Sequence, residues 1–358
     1  MSIRDKRQLE FADKWIEKGK FGILNLCPRM GKTRVAIQIF SKLQPSSILI
    51  AYPNHTVKQS WDDEFDKMGY SSVGITFTTH LSLKKHTGKS FDIVVLDEIH
   101  LLSEAQIKVC EELFTQNTHV LGLTGTLSSW TERILREDLG LNVVGRYPIE
   151  KAIEEGVVTD YEIEVVTTSL DKTTPRRFGK KLKTEKKAFD DLGWVIDRQE
   201  IEGKSTVFLR LARMRIIQHS VAKFNKTRET IQLYEKERVV VFCGLTEIAD
   251  KLGIPSYHSK SSEKDVFNRF ANGEGNHLAV VKLGNTGVTY KPLNRVIINY
   301  TDSNPENLTQ KINRAMSMEY DNPEKKACIT IISTNEEVEL KWIRKALSFF
   351  SKEKIKYI

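Results

Sequence analysis

The sequence predicts an α/β protein built on two mostly parallel sheets, and three observations carry that prediction. Asn25-Leu-Cys-Pro-Arg-Met-Gly-Lys-Thr33 joins an apolar run to a segment of helical periodicity. Short apolar runs alternate with amphipathic segments through the first half, and several end in polar or acidic residues. The second half repeats the alternation without a second Gly-Lys-Thr. Strand–helix alternation of this kind gives parallel sheets covered on both faces.

At 358 residues the chain has room for about two domains with cores of their own. Its 40% hydrophobic and 28% charged content is that of an ordinary soluble protein. The net charge of +8 points to a polyanionic partner. Four scattered cysteines, Cys27, Cys110, Cys243 and Cys328, form no CxxC pair. That spacing argues against a zinc or disulfide framework and for a reducing compartment. The N-terminal residues are charged, unlike a signal peptide, and no apolar run reaches the ~18 residues of a membrane span. A cytoplasmic location is expected.

Arg4 to Lys18 reads as the first helix, with Leu9, Ala12 and Ile16 on one face and Gly19 placed to end it. Phe21 to Leu24 is the first strand. It feeds the Gly-Lys-Thr turn, after which Ala36, Ile39, Phe40 and Leu43 recur at helical spacing up to Pro45. Such a turn points backbone N–H groups at an anion. Lys32 adds a compact positive charge, and the Thr33 hydroxyl is a ligand for Mg²⁺. Leu26 occupies the place of the first glycine in GxxxxGK[ST]. Gly88-Lys89-Ser90 and Gly203-Lys204-Ser205 repeat the tripeptide but lack the strand before and the helix after.

Further strands are expected at Ile48 to Tyr52, Val73 to Phe77, Ile93 to Leu96 and Val120 to Leu123. Pro53, Thr78-Thr79, Asp97-Glu98 and Thr124-Gly125-Thr126 follow them, at the carboxyl ends where such sheets bind ligands. An acidic pair leaving a buried strand needs a cation or donors. With a phosphate loop in the same sheet, Asp97 is assigned to Mg²⁺, directly or through water. Glu98 is assigned to polarising the water that attacks the γ-phosphate.

The middle of the chain is basic. Eight Lys or Arg fall between Lys172 and Lys187, around Thr-Thr-Pro and Gly breakers that suggest a mobile loop. Arg210, Arg213 and Arg215 then crowd a segment with Leu209, Leu211, Met214 and Ile216. Strands resume at Val239 to Phe242, Leu278 to Lys282, Val296 to Asn299 and Ile329 to Ile332, with no GK[ST] after them. One ATP site served by two domains is expected.

The ordered set of motifs resembles superfamily 2 helicases and translocases of the DExH type. It comprises the Gly-Lys-Thr turn, then Pro53 with Gln59-Ser-Trp61 and Glu64-Phe65, then Asp97-Glu98-Ile99-His100, then Leu123-Thr-Gly-Thr126. Within that superfamily, residues 48–69 resemble the DNA-acting branch of chromatin-remodelling translocases, type I and III restriction motor subunits and phage UvsW-type helicases. Ile149 to Gly156, ending at Tyr161, is similar to the restriction-motor and UvsW-type pattern. By the same resemblance Val241-Phe-Cys243 is the fourth motif and Gly287-Val-Thr289 the fifth. Gln310-Lys-Ile-Asn-Arg314 is the sixth, written QxxGRxxR; here Asn313 replaces the glycine and Ser317 the second arginine.

The resemblance implies two RecA-like domains, 1–146 and 236–358, joined by a connection over 147–235, with ATP in the cleft between them. It places ATP on Pro28, Arg29, Met30, Gly31, Lys32, Thr33 and Arg34, with adenine read partly by Gln8. Mg²⁺ falls to Thr33 and Asp97, and catalysis to Lys32, Asp97, Glu98, Gln310 and Arg314. His100, Thr124, Gly125 and Thr126 couple the nucleotide to the track. Nucleic acid touches Pro53, Thr78, Thr79, Thr289, Arg210 and Arg213, with DNA favoured over RNA by likeness alone. The implied function is a nucleic-acid-dependent ATPase that translocates on, unwinds or remodels DNA. An ATP-binding clamp with weak turnover and a motor subunit of a larger restriction- or transcription-linked complex remain as alternatives.

Overall fold

Ser2 opens the first helix with a capping box: its hydroxyl accepts from Asp5 N at 3.1 Å and the Asp5 carboxylate accepts from Ser2 N at 3.0 Å. The structure is a computed structural model and describes residues 1–53, 55–261, 265–281, 293–316 and 325–358, side chains of 55, 56 and 306 excepted. Among the described residues, 1–159 form one compact unit and those from 160 onward a second.

In the first unit α1 (Ile3–Glu17) leads to β1 (Phe21–Leu26), α2 (Lys32–Leu43), β2 (Ile48–Tyr52), α3 (His55–Met68) and β3 (Ile75–Thr79). Then come β4 (Ile93–Asp97), α4 (Glu104–Leu113), β5 (His119–Thr124), α5 (Ser129–Leu139), β6 (Val143–Tyr147) and α6 (Ile149–Glu154). The six strands lie in the order β3-β2-β4-β5-β1-β6, every neighbouring pair parallel. Strand alternation sends Ile93 and Val95 to one face, where Trp15, Phe40 and Trp61 are buried. It sends Val94 and Leu96 to the other, against Ile107, Cys110 and Leu135. β4 is apolar on both faces because helices cover both.

The second unit holds β7 (Asp160–Thr168), β8 (Arg176–Phe178), β9 (Lys181–Lys183), α7 (Glu185–Ile201), α8 (Val207–Gln218), α9 (Val221–Leu233) and β10 (Val239–Cys243). It continues with α10 (Thr246–Lys251), β11 (Ser256–Tyr257), α11 (Asp265–Ala271), β12 (His277–Val281), β13 (Arg295–Ile298), α12 (Pro305–Asn313), β14 (Lys326–Thr334), α13 (Glu337–Leu347) and β15 (Ile355–Tyr357). Its large sheet, also parallel throughout, runs β11-β12-β10-β13-β14-β7-β15.

Several expectations need correction. The connection expected over 147–235 is not a separate piece, because α6 belongs to the first unit while β7 pairs with β14 along its whole length, from Asp160↔Lys326 to Thr168↔Thr334. Thr78 and Thr79 are the last residues of β3, not a loop after it: the strand sits two residues later than its apolar run suggests. The expected mobile loop after Lys172 contains the β8–β9 hairpin, closed by Gly179 at φ +62 and Lys180, a two-residue turn that needs a glycine. Among the described residues no helix is long and apolar enough to cross a membrane.

Candidate nucleotide-binding site

β1 ends at Leu26, and the backbone then turns tightly so that α2 starts at Lys32. Arg29 and Gly31 take left-handed conformations, φ +68 and φ +87, in that turn. At Gly31 sterics add to conformation: a Cβ there would meet Gln8 Nε2 at 2.4 Å. Gln8 is buried and its amide donates to Met30 O at 2.7 Å, so the residue expected to read adenine also braces the loop. The left-handed Gly31 turn places the first free N–H groups of α2 at the mouth of the loop, the arrangement that favours an anion. Thr33 is the second residue of α2. Arg34 Nε donates to Glu64 Oε2 at 2.6 Å, so its guanidinium is engaged by α3.

Lys32 reaches toward the end of β4, where its Nζ lies 3.3 Å from Glu98 Oε1. Gly125 leaves it room, since a Cβ at that position would stand 3.2 Å from Nζ and 3.4 Å from Pro28 Cγ. Glu98 adopts φ +50, a strained conformation for a residue with a side chain. Its second oxygen lies 3.5 Å from His100 Nδ1, which is 2.8 Å from Thr124 Oγ1. The Thr124 hydroxyl donates to Thr126 O at 2.7 Å, so Nδ1 is the donor toward Thr124. A continuous polar chain thus runs from Lys32 through Glu98 and His100 to the turn after β5.

Burial raises the Glu98 carboxyl, but the Lys32 ammonium and then His100 outweigh it, and the group sits below the usual range, ionised at neutral pH. Burial likewise opposes the Lys32 charge, while Glu98 and Asp97 together raise its pKa. Asp97 goes the other way. Burial, then the Glu98 charge, push it up to about 6, against Lys32 and the Trp61 indole, whose Nε1 donates to Asp97 Oδ2 at 2.9 Å.

Trp61 is fully buried, and nothing in its sequence position marked it as an Asp97 partner from α3. His80 was equally unmarked. It is 4% exposed, and burial pushes it down to about 4 even though backbone groups of Asp97 and Ala51 hydrogen-bond to it. A neutral imidazole therefore packs behind the acidic pair.

Pro53 follows β2, whose Tyr52 is in register with Thr79, so Pro53 and Thr79 lie at the carboxyl ends of neighbouring strands. Thr78 is buried and donates to Thr79 O at 3.4 Å. In the second unit Gln310 lies in α12 and Arg314 just beyond it. Between them Lys311 is buried and donates to Tyr300 O at 3.0 Å, with burial pushing its pKa down to about 8. Arg210 is ion-paired with Glu200. The Arg213 guanidinium lies 4.0 Å from the Phe189 ring centroid, so neither arginine is an uncommitted surface cation. Thr289, with the rest of the fifth motif, and Ser317 lie outside the described residues.

The helicase conserved C-terminal domain family matches residues 222–319. A DNA 3'-5' translocase, XPB2 of Sulfurisphaera tokodaii, is 25% identical over 313 residues, covering 76% of this chain and 70% of that protein. Among solved structures, the Hef helicase domain of Pyrococcus furiosus superposes with a TM-score of 0.55 at 13% identity, over 97% of this chain and all (100%) of that one. The ATP-dependent type ISP restriction-modification enzyme LlaBIII bound to DNA gives 0.62 at 14% identity, over 100% of this chain and 31% of its own length. A Saccharomyces cerevisiae Dbp5 variant bound to RNA and ADP BeF3 gives 0.56 at 11%, over 94% and 85%. These structural likenesses establish the fold of both units as that of helicase RecA-like domains. Taken with the C-terminal domain match and the curated translocase relative, they support the resemblance of this chain to the superfamily 2 helicases and translocases.

Proposed function

We propose that this protein hydrolyses ATP in response to DNA and uses the energy to move along or remodel it. The observation that carries the reading is the polar chain from Lys32 through Glu98 and His100 to Thr124, gathered from the ends of β1, β4 and β5. In this reading the loop from Pro28 to Arg34 cradles the phosphates and Lys32 neutralises them, while Gln8 holds the loop and borders the base. The ionised Glu98 takes the proton of the attacking water. His100 and Thr124 sense that change and pass it to the Gly125-Thr126 turn. By the resemblance, Gln310 and Arg314 take part in hydrolysis as well.

Thr33 and Asp97 would hold Mg²⁺. The donor set fits: Mg²⁺ is bound through one or two protein oxygens and the substrate phosphates rather than an all-protein cage. Among the described residues there is no group of three or more His, Cys, Asp or Glu arranged for a metal. When bound, Mg²⁺ would neutralise charge on the phosphates.

DNA as the track is supported by the DNA translocase from Sulfurisphaera tokodaii that this chain resembles and by the net charge of +8. The motif Asp97-Glu98-Ile99-His100 supports placement in the DExH group, and residues 48–69 and 149–156 support its DNA-acting, phage-like branch. The scattered cysteines support a cytoplasmic setting. The test is the ATPase rate with no nucleic acid, single-stranded, duplex and branched DNA, and RNA, at several salt concentrations. Stimulation by DNA is expected, and a rate indifferent to every nucleic acid would refute the reading.

A further inference from the structure

α8 presents an unpartnered stripe. At 100° per residue, Val207, Phe208, Leu211 and Arg215 fall within about 100° of one another around the helix. Val207 is 58%, Phe208 86% and Leu211 49% exposed, and Arg215 is exposed beside them. The opposite face carries Ile216 and Ile217, buried with Phe189 and Leu170. The helix is therefore already anchored, and its stripe is surplus to folding. Phe208, exposed over 86% of its surface, leaves its ring accessible to a stacking partner.

We infer that this stripe is a nucleic-acid contact in which Phe208 stacks on an unpaired or terminal base and Arg215 pairs with a backbone phosphate. The inference rests on the DNA-dependent reading above and names the element that would meet the strand. Charge decides for nucleic acid over a protein: α8 carries Arg210, Arg213 and Arg215 and no Asp or Glu. Glu200 and Glu202, at the end of α7, are ion-paired with Arg210 and with Arg198 and Lys204. The sequence alone favoured Arg210 and Arg213 as the contacts. In the structure Arg210 is held in a surface ion pair with Glu200 and Arg213 packs on the Phe189 ring, and Arg215 is the arginine that shares the aromatic face. Aromatic faces interleaved with cations suit single strands, because any base has a ring to stack and every nucleotide a phosphate to neutralise.

Binding of labelled single-stranded DNA, blunt duplex and RNA to the full chain, followed by fluorescence anisotropy across a salt series, tests this. Phe208→Ala should weaken single-strand binding by roughly 5- to 150-fold, and Phe208→Tyr should restore it. Arg215→Gln should flatten the plot of log affinity against log salt by about 0.7. Phe208 is exposed, so unfolding midpoints within error of the parent will show that the alanine variant is folded. If the parent binds DNA and both Phe208→Ala and Arg215→Gln bind it equally well, the inference fails while the proposed function stands. If Phe208→Ala leaves DNA binding intact but changes the mass of the protein in solution, the stripe is a protein contact and the inference fails as well. A parent chain that binds no nucleic acid would instead refute the proposed function itself.

Discussion

Asp97 sits where its own charge is unfavourable, and this has a consequence for stability. Its pKa is about 6 in the folded protein against an ordinary 3.8, so folding favours the protonated form. The raised value belongs to a carboxyl that stabilises the fold at low pH and costs stability as pH rises from about 4 through 6. Asp97→Asn should therefore stabilise the nucleotide-free protein at pH 8, by on the order of 2–3 kcal/mol, with the gain vanishing near pH 4. Urea unfolding at the two pH values measures it, and an equal effect at both would mean the carboxylate is solvated. Glu98 calls for a different experiment. Its carboxylate is ionised and next to Lys32, so Glu98→Gln should keep nucleotide affinity within a few-fold and lose about 10² to 10⁴ in turnover. Undiminished turnover would remove Glu98 from the mechanism. The sequence singles out Lys32, Asp97 and Glu98 because they stand at or just beyond the ends of apolar strands, where polar residues are costly without a function, and the structure brings Lys32 Nζ to 3.3 Å from Glu98. Trp61 and His80 were not legible, since a buried aromatic is common anywhere and only the folded sheet brings them to Asp97.

At the scale of elements, the second unit is tied together by a buried ion pair. Lys223 of α9 and Glu339 of α13, each 1% exposed, meet at 2.6 Å. Glu339 also accepts from Thr301 Oγ1 at 3.1 Å and from Thr334 N and Oγ1 at 2.7 and 2.8 Å, joining two helices to the ends of β13 and β14. Removing one partner leaves a buried charge uncompensated, so Lys223→Met should cost about 3–5 kcal/mol, and adding Glu339→Gln should recover part of that loss. Strictly additive unfolding free energies in the double-mutant cycle would show that the two groups do not interact. Strands were legible where apolar runs were continuous, as in β2 and β4. They were not where residues alternate: Glu162-Ile163-Glu164-Val165 of β7 reads as amphipathic, yet the strand lies between β14 and β15. β6 was missed for the same reason, its burial running from half-buried through exposed Arg146 to buried Tyr147.

At the scale of the whole molecule, the sequence resemblance adds Arg314 to the residues expected to act in hydrolysis. Arg314→Ala should lower DNA-stimulated turnover by about 10³ to 10⁵ if it acts on the transferring phosphoryl group. Turnover that survives the change would assign that charge to another residue. The sequence by itself determined the alternation of strands and helices, the phosphate-loop turn and the acidic pair. These are local facts: a Gly-Lys-Thr after an apolar run and an Asp-Glu at a strand end betray their chemistry within a few residues. It also carried the resemblance to superfamily 2, because the order of the motifs survives when their exact letters do not. Only the tertiary structure decided that 160–168 belong to the second sheet, since strand partners 166 residues apart leave no mark on either segment. It also decided which arginines of α8 are free to meet a ligand. Three arginines at similar spacing look alike in sequence, and what separates them is the packing of Phe189 and Glu200 against two of the three.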